Sequence, residues 1–428
     1  MTTTWLGDDG GATAGPAARE GGGPAPGVRA PGGGGEVLPD EAYAAALLGL
    51  PGLWPARLAA LLGQRRARPA DLLDAGDPVG PQRAPRQAWA QVRAGRAADH
   101  PDVVARIGSR TVAEALGAHW AAAADRTDVG RSWAAYRRLG VTVDLLGTPS
   151  YPPELARDKG APYVLLRQGT VPSLGGRRVA IVGTRRCSPS GREIAAEFGE
   201  ALAGAGVRVV SGLALGIDGG AHQGALAARG GAPIGVVAGG FDVPYPARHR
   251  TLWRQVAEQG VLVSEWPLGT RSEGWRFPAR NRVIAALAEA VIVVESGDGG
   301  GSMITADEAL GRGVEVMAVP GSIRNPAAAG TNRLIRDGAT PVCGPEDVLT
   351  ALSLQAGPDR WLPTRPPPPA SAGPVLAAVG WEPTPMSLLM TRTGLDPAAL
   401  AVELAHLELD GWVTGGGGWW QRLAGDAR

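Results

Sequence analysis

The richest run of chemistry lies at positions 277–282, Phe277-Pro-Ala-Arg280-Asn281-Arg282. An aromatic ring, two guanidinium groups and a carboxamide lead into an apolar stretch, Val283 to Leu287. An exposed aromatic side chain can stack a base of any identity while arginines beside it hold the sugar–phosphate backbone. Single strands are bound in this way without sequence preference. A core phenylalanine followed by a solvated basic face has the same sequence, and the hexapeptide alone does not separate the two. Upstream, Gly183-Thr184-Arg185-Arg186-Cys187-Ser188 is a second candidate. Its glycine permits close backbone approach, Thr184 and Ser188 carry hydroxyls, and Arg185 and Arg186 supply forked donors that match phosphate.

Two further turns carry phosphate-compatible groups. One is Gly299-Gly-Gly-Ser302-Met-Ile-Thr305; the other joins Pro320-Gly-Ser322 to Gly330-Thr-Asn332-Arg333. Each could present amides or hydroxyls to an anion, and each could be an ordinary tight turn between strand and helix. Asp218 and His222 stand four residues apart on one helical face, so they can meet. They read as an acid/base pair or as a brace for the loop at the helix start. The brace is preferred, because no third residue completes a triad. The pattern Gly-x-Gly-x-x-Gly is missing from the first loop, and no acidic residue follows the second strand to hold a ribose, so no nicotinamide cofactor is expected. The two cysteines, Cys187 and Cys343, are far apart in sequence, which argues against a thiolate metal site or an iron–sulfur cluster.

These loops need a scaffold that gathers them. Short β-branched runs occur at 178–183, 207–211, 233–237, 261–264, 290–295 and 314–319, with helical periods such as Glu193–Ala205 and Ile217–Arg229 between them. Apolar strands alternating with crossover helices predict a doubly wound parallel sheet, in an α/β domain over 129–350. In such sheets ligands bind beyond the carboxyl ends of the strands, where the candidate loops lie. Residues 37–128 read as a helical module, 351–372 as a stiff Pro-rich linker and 373–424 as a small helical unit ending in a Gly-rich hairpin. Residues 1–36, dominated by Gly, Ala and Pro, read as a disordered tail.

Charge sharpens the picture. The 428 residues carry 42 Lys+Arg against 41 Asp+Glu, a net charge of +1, so the chain as a whole has no pull on nucleic acid or anionic membrane. Locally the balance is uneven. Residues 177–282 hold 14 Arg and 8 Asp+Glu, whereas residues 283–350 hold 4 Arg and 9 Asp+Glu. The basic part contains the candidate phosphate loops, which predicts a positive rim at the strand ends. Lys159 is the sole lysine, so nearly all cationic contacts must be guanidinium. No run of 18 apolar residues occurs and no basic-then-apolar leader is evident, and a cytoplasmic protein without membrane contact is expected.

Taken together, these segments resemble the DNA-processing protein A family (DprA, also called Smf). The resemblance rests on Tyr151-Pro-x-x-Leu155, Ile181-Val-Gly-Thr-Arg185, Ser211-Gly-Leu-Ala-x-Gly-Ile-Asp218 with His222, and Gly240-x-Asp242-x-x-Tyr245-Pro246. It continues through Ser264-Glu265, Phe277-Pro-x-Arg-Asn-Arg282, Ile304-Thr-Ala306, Val319-Pro-Gly321 and Gly330-x-Asn332-x-Leu-Ile335-x-x-Gly-Ala339. It implies an extended Rossmann domain that binds single-stranded DNA, forms a homodimer and loads RecA recombinase, with no catalytic residues and no cofactor. The binding pocket then maps onto Gly183, Thr184, Arg185 and Arg186, with Phe277, Arg280 and Arg282; Asn281 either joins it or anchors its loop, and Ser302, Thr305 and Asn332 complete the rim. Both Arg185 and Arg280 are expected to neutralise phosphates, and the region Leu334 to Val342 is expected at the dimer surface.

The flanking units resemble the family's accessory domains. Gly49-Leu-Pro-Gly52-Leu-Trp54-Pro-Ala-Arg57 is similar to a helix-hairpin-helix, in a SAM-like helical module. Trp54 stands where a second hairpin glycine normally lets an amide approach phosphate, so packing or protein interaction is expected of it. The C-terminal unit resembles a winged helix. Its recognition helix, Asp396 to His406, contains no Lys or Arg, which argues against duplex binding and for a regulatory or protein-interaction role. A rival from another class is a nucleotide-processing phosphoribohydrolase, with Glu308 of Gly300-Gly-Ser302-x-x-Thr305-x-x-Glu308 as its catalytic carboxylate.

Overall fold

The computed structural model describes residues 37–63, 84–352 and 372–423. The expected tail at 1–36 and nearly all of the expected linker at 351–372 lie outside those residues. The nine strands of the main sheet are β1 (Val141–Leu145), β2 (Val164–Gln168), β3 (Arg178–Val182), β4 (Arg208–Ser211), β5 (Ile234–Val236), β6 (Val261–Ser264), β7 (Ala290–Val293), β8 (Glu315–Ala318) and β9 (Thr340–Pro341). They lie in the order β1-β2-β6-β5-β4-β3-β7-β8-β9.

All six expected strands form, as β3 to β8, and pair parallel. Their β-branched side chains are buried on both faces: Val179 and Ile181 meet one layer of helices, and Ala180 and Val182 the other. The sequence missed β1 and β2, which pair antiparallel with each other and attach to β6 on the sheet edge. Their signal is masked by charge. Asp144 is fully buried on β1 and is held by Arg167 of β2, Nε to Oδ2 at 2.5 Å, so two strand residues look solvent-facing when they are paired inside.

From β3 the chain winds outward through β4, β5 and β6, then returns to lay β7 on the other side of β3. The crevice between the carboxyl ends of β3 and β7 is therefore the topological switch point, where such sheets bind ligands. Two helices, Pro189–Gly204 and Ile217–Ala227, cover the face of β3 and β4. They touch backbone to backbone: a Cβ on Gly199 would strike the Ala221 carbonyl, and one on Gly224 the Ala196 carbonyl. That contact seats the start of the second helix, with Ile217 and Asp218, beside the first strand's loop.

In front of the sheet domain lie helices at Asp40–Leu48, Pro55–Leu61, Pro85–Arg93, Pro101–Ile107, Arg110–Asp125 and Val129–Arg138. Trp120 is fully buried there and donates its indole N–H to the Pro51 carbonyl at 3.0 Å, which pins the turn before Trp54. The last unit has helices Gly373–Ala378, Met386–Thr393 and Pro397–Leu409, with a three-stranded sheet whose hairpin joins Val413–Gly416 to Trp419–Arg422. Leu389, Leu400, Leu404 and Leu407 form its core. Among the described residues no helix is long and apolar enough to cross a membrane.

The helix contact at Gly224 generates a stability prediction. Gly224→Val forces the two helices apart and should lower unfolding free energy by about 1–3 kcal/mol, the usual cost of overpacking. Urea unfolding checks this: the midpoint falls while the slope with denaturant stays constant.

Candidate nucleic-acid interface

The switch point is occupied by the protein itself. Glu295, just past β7, is buried, and its carboxylate accepts the Ser188 N–H at 2.8 Å and the Ser188 hydroxyl at 2.7 Å. Its backbone carbonyl accepts the Thr184 N–H at 2.7 Å. Ser188 caps the helix Pro189–Gly204, accepting from the Gly191 N–H, and any side chain at Gly191 would run into the Glu295 carboxylate. A helix N-terminus is a ready anion site, and here an internal carboxylate fills it. Gly183 answers the same packing. A Cβ there would overlap the Ile217 side chain and approach the Glu295 carbonyl at 2.8 Å, so the glycine admits neighbouring protein rather than a ligand.

With that crevice closed, the loop turns its next residues outward. Thr184 Oγ1 accepts the Arg186 N–H at 3.2 Å, and Arg185 and Arg186 are exposed. The Arg185 guanidinium lies over the Phe277 ring, 4.3 Å from its centroid. On Phe277 also packs Tyr245, from the loop after β5, with ring centroids 5.5 Å apart. Phe277 is half-buried at the start of helix Arg276–Leu287, and Tyr245 is exposed. Two loops and a helix start thus deliver one cation and two rings to a single patch. A cation over an aromatic face is attracted by the ring quadrupole, and this holds the patch in shape before any ligand arrives.

Arg280 and Arg282 point inward, against the expectation that they line the rim, and Asn281 takes the anchoring role. Arg280 is only 5% exposed. Its Nη1 donates to the Gly212 carbonyl at 2.8 Å and to the Val236 carbonyl, and its Nε donates to Asn281 Oδ1 at 3.1 Å. It therefore ties the ends of β4 and β5 to the helix. Asn281 donates to the Gly301 carbonyl at 3.2 Å, joining the same helix to the loop after β7. Arg282 is paired with Glu265 and with the Gly160 carbonyl. The physical reason is shared: strand-end carbonyls and buried carboxylates need donors, and a guanidinium supplies several at once.

Asp218 braces its loop by accepting the Gly212 N–H at 3.1 Å, close to the Arg280 cation. Burial raises its pKa, and Arg280 opposes that rise. The expected partnership with His222 does not form. His222 is fully buried, its pKa pushed down to about 4 by burial, with His249 and Arg280 adding repulsion. Burial drives the same shift in Arg280, down to about 10 with Asp218 opposing, which leaves it charged at neutral pH. The remaining rim candidates are loop supports. Ser302 is buried and donates to Ser296 Oγ at 2.8 Å, and Thr305 is buried behind it. Asn332 clasps Gly321, donating to its carbonyl at 2.9 Å and accepting its N–H at 3.2 Å. Glu308 is ion-paired with Arg312, whose Nε also holds Asp158 at 2.8 Å. Among the described residues no cluster of His, Cys, Asp and Glu could hold a metal ion.

Sequence reasoning missed Glu295 and the role of Tyr245. A carboxylate ending an all-apolar strand opposite a serine helix cap was the available signal for the first. For the second there was only an aromatic in the loop after the third expected strand.

Comparison with known proteins places the chain in a family. The family model for DNA recombination-mediator protein A matches residues 143–353, and that for the DprA winged helix domain matches residues 362–418. The protein Smf of Escherichia coli is 39% identical over 288 residues, covering 64% of this chain and 75% of that one. The chain belongs to the DprA/Smf family. The DNA processing protein DprA of Bacillus subtilis is 40% identical over 223 residues, 52% of this chain and 75% of that protein. The crystal structure of DprA from Streptococcus pneumoniae superposes with a TM-score of 0.56 at 28% identity, covering 73% of this chain and 98% of that one. The DprA likeness spans the Rossmann-like sheet and the winged helix, and it identifies a DNA-processing protein.

The buried imidazole makes the protein pH-sensitive in one direction. Unfolded His222 binds a proton near its ordinary value of 6.5, whereas folded His222 takes one only at about pH 4. Its contribution to stability is complete above about pH 6.5 and is lost as pH falls toward 4, by up to about 3 kcal/mol. Asp218 and Glu265, whose folded values are raised, act in the opposite direction, so a difference measurement is needed. Urea midpoints of the wild type and His222→Leu, taken at pH 7.5 and pH 5, should show a smaller acid loss in the variant.

Proposed function

We propose that the protein binds single-stranded DNA at the strand-end rim. Arg185 and Arg186 hold phosphates, Thr184 offers its hydroxyl, and Phe277 stacks a base with Tyr245 beside it. The observation that carries the reading is the joint delivery of Arg185, Phe277 and Tyr245 to one accessible patch above a closed crevice. Stacking plus guanidinium–phosphate contact suits a flexible strand whose bases are turned out, and a duplex keeps its bases inside. Gly183, Asp218, Arg280, Asn281, Arg282, Ser302, Thr305 and Asn332 then serve by holding the loops that carry the contact residues.

Membership of the family extends the proposal. The protein acts as a homodimer that protects single-stranded DNA and loads RecA recombinase onto it, without catalysing a reaction itself. The domain limits that go with this reading are 37–128 for the helical module, 129–350 for the DNA-binding domain and 373–424 for the winged helix. The phosphoribohydrolase alternative gains nothing from Glu308, whose carboxylate is engaged by Arg312.

Fluorescence anisotropy of a labelled poly-dT oligonucleotide over a salt series separates these roles. Arg185→Ala should weaken binding and reduce the log–log salt slope by about 0.7, the value for one phosphate on a single strand. Phe277→Ala should weaken binding by about 1–3 kcal/mol with the slope unchanged, because stacking releases no counterions. Arg280→Ala should act through folding. Removing the cation leaves Asp218 buried and uncompensated, at a cost of about 3–5 kcal/mol in unfolding free energy. Full affinity and slope in both Arg185→Ala and Phe277→Ala would remove the rim from consideration.

The recombinase step has its own test. With single-strand-binding protein coating the DNA, wild type should shorten the lag before RecA ATP hydrolysis begins, and Arg185→Ala should restore the lag.

A further inference from the structure

Two tryptophans from distant parts of the chain meet beside the rim. Trp54, from the hairpin of the N-terminal helical module, and Trp275, which directly precedes helix Arg276–Leu287, have ring centroids 4.8 Å apart and planes inclined at 40°. They are 45% and 43% exposed, unusual for the largest apolar side chain. The pair is built rather than incidental. Beneath it, buried Trp266 meets Trp275 edge-on at 5.4 Å, and the Arg276 guanidinium lies over both Trp266 and Trp275, 4.6 and 5.0 Å from their centroids. The Trp275 N–H donates to Glu273 at 2.7 Å, which fixes the ring's orientation. Arg57 lies 5.0 Å from the Trp54 ring centroid while donating to the Gly52 carbonyl at 2.8 Å.

We infer that Trp54 and Trp275 form a second base-stacking subsite, which extends the single-strand path from the sheet rim onto the N-terminal hairpin, with Arg57 as its phosphate partner. The inference rests on the proposed single-strand function. Continuity argues for a strand as the occupant, since Trp275 stands two residues before Phe277 at the start of the same helix. Cations argue in the same direction: Arg57 lies over Trp54 and Arg185 over Phe277, while the Glu273 carboxylate is engaged by Trp275 and Arg276. The hairpin's chemistry also fits. A tryptophan in place of a hairpin glycine gives up amide-to-phosphate contact and gains a stacking face, which serves a single strand rather than a duplex backbone.

The test uses the full chain with labelled dT oligonucleotides of increasing length, and Trp54→Ser as the main variant. Trp54 occupies the N-cap of helix Pro55–Leu61 with no side-chain cap bond, so serine supplies the missing cap while it removes the ring. Trp275→Leu is the second variant, and Phe277→Ala the control for the rim. Trp54→Ser and Trp275→Leu should each lower affinity for the longer oligonucleotides about five- to tenfold and leave the shortest that bind almost unaffected. Phe277→Ala should lower affinity at every length. Unchanged affinity at all lengths in both tryptophan variants, with Phe277→Ala still impaired, overturns the second subsite and leaves the rim intact. A wild type that binds no single strand at any length overturns the proposed function itself. Loss of RecA stimulation without loss of DNA affinity in Trp54→Ser would assign the pair to a protein partner and overturn the inference.

Discussion

One carboxylate governs the business end of the sheet. Glu295 satisfies Ser188 twice and receives Thr184 on its carbonyl, so the loop after β3 is fastened to the end of β7 at the point where the sheet changes winding direction. With the first turn of the following helix satisfied from inside, the two arginines of that loop have nowhere to go but outward. Arg185 reaches the aromatic patch of Phe277 and Tyr245 because its loop has been turned that way.

A second tier of buried ionic groups carries out the same task for the neighbouring loops. Arg280 links β4, β5 and the helix that bears Phe277, while Asp218 offsets its charge and holds Gly212. Arg282 and Glu265 join that helix to the loop at Gly160. Buried ion pairs add little net stability over apolar packing, but they fix geometry, since only one arrangement satisfies every donor. Arg185 and Tyr245 stay accessible above these buried supports.

Much of this could be read before the fold was known. The six parallel strands announce themselves through β-branched runs, and the loops at their carboxyl ends gather the reactive side chains as the topology requires. What could not be read was which arginines face in. Phe277 and Arg280 share a helical face, yet one ring reaches the surface and one guanidinium is swallowed, because Arg280 meets strand-end carbonyls contributed from 44 and 68 residues earlier in the chain. Likewise Asp218 and His222 have the spacing of partners, and burial without a counter-charge keeps the imidazole neutral instead. Strands β1 and β2 escaped for a related reason, their one buried ion pair counting as polar in any one-dimensional pattern.

The plugged switch point also bears on selectivity among anions. A Rossmann sheet with an open crevice would offer its helix terminus to every mononucleotide in solution, and those are abundant competitors. Here that terminus is taken by Glu295, and on the proposed reading the contacts left to Arg185, Arg186 and Phe277 add up along a polymer. On the proposed reading such a surface favours long strands over monomers, because one internal carboxylate, Glu295, has closed the crevice a mononucleotide would enter.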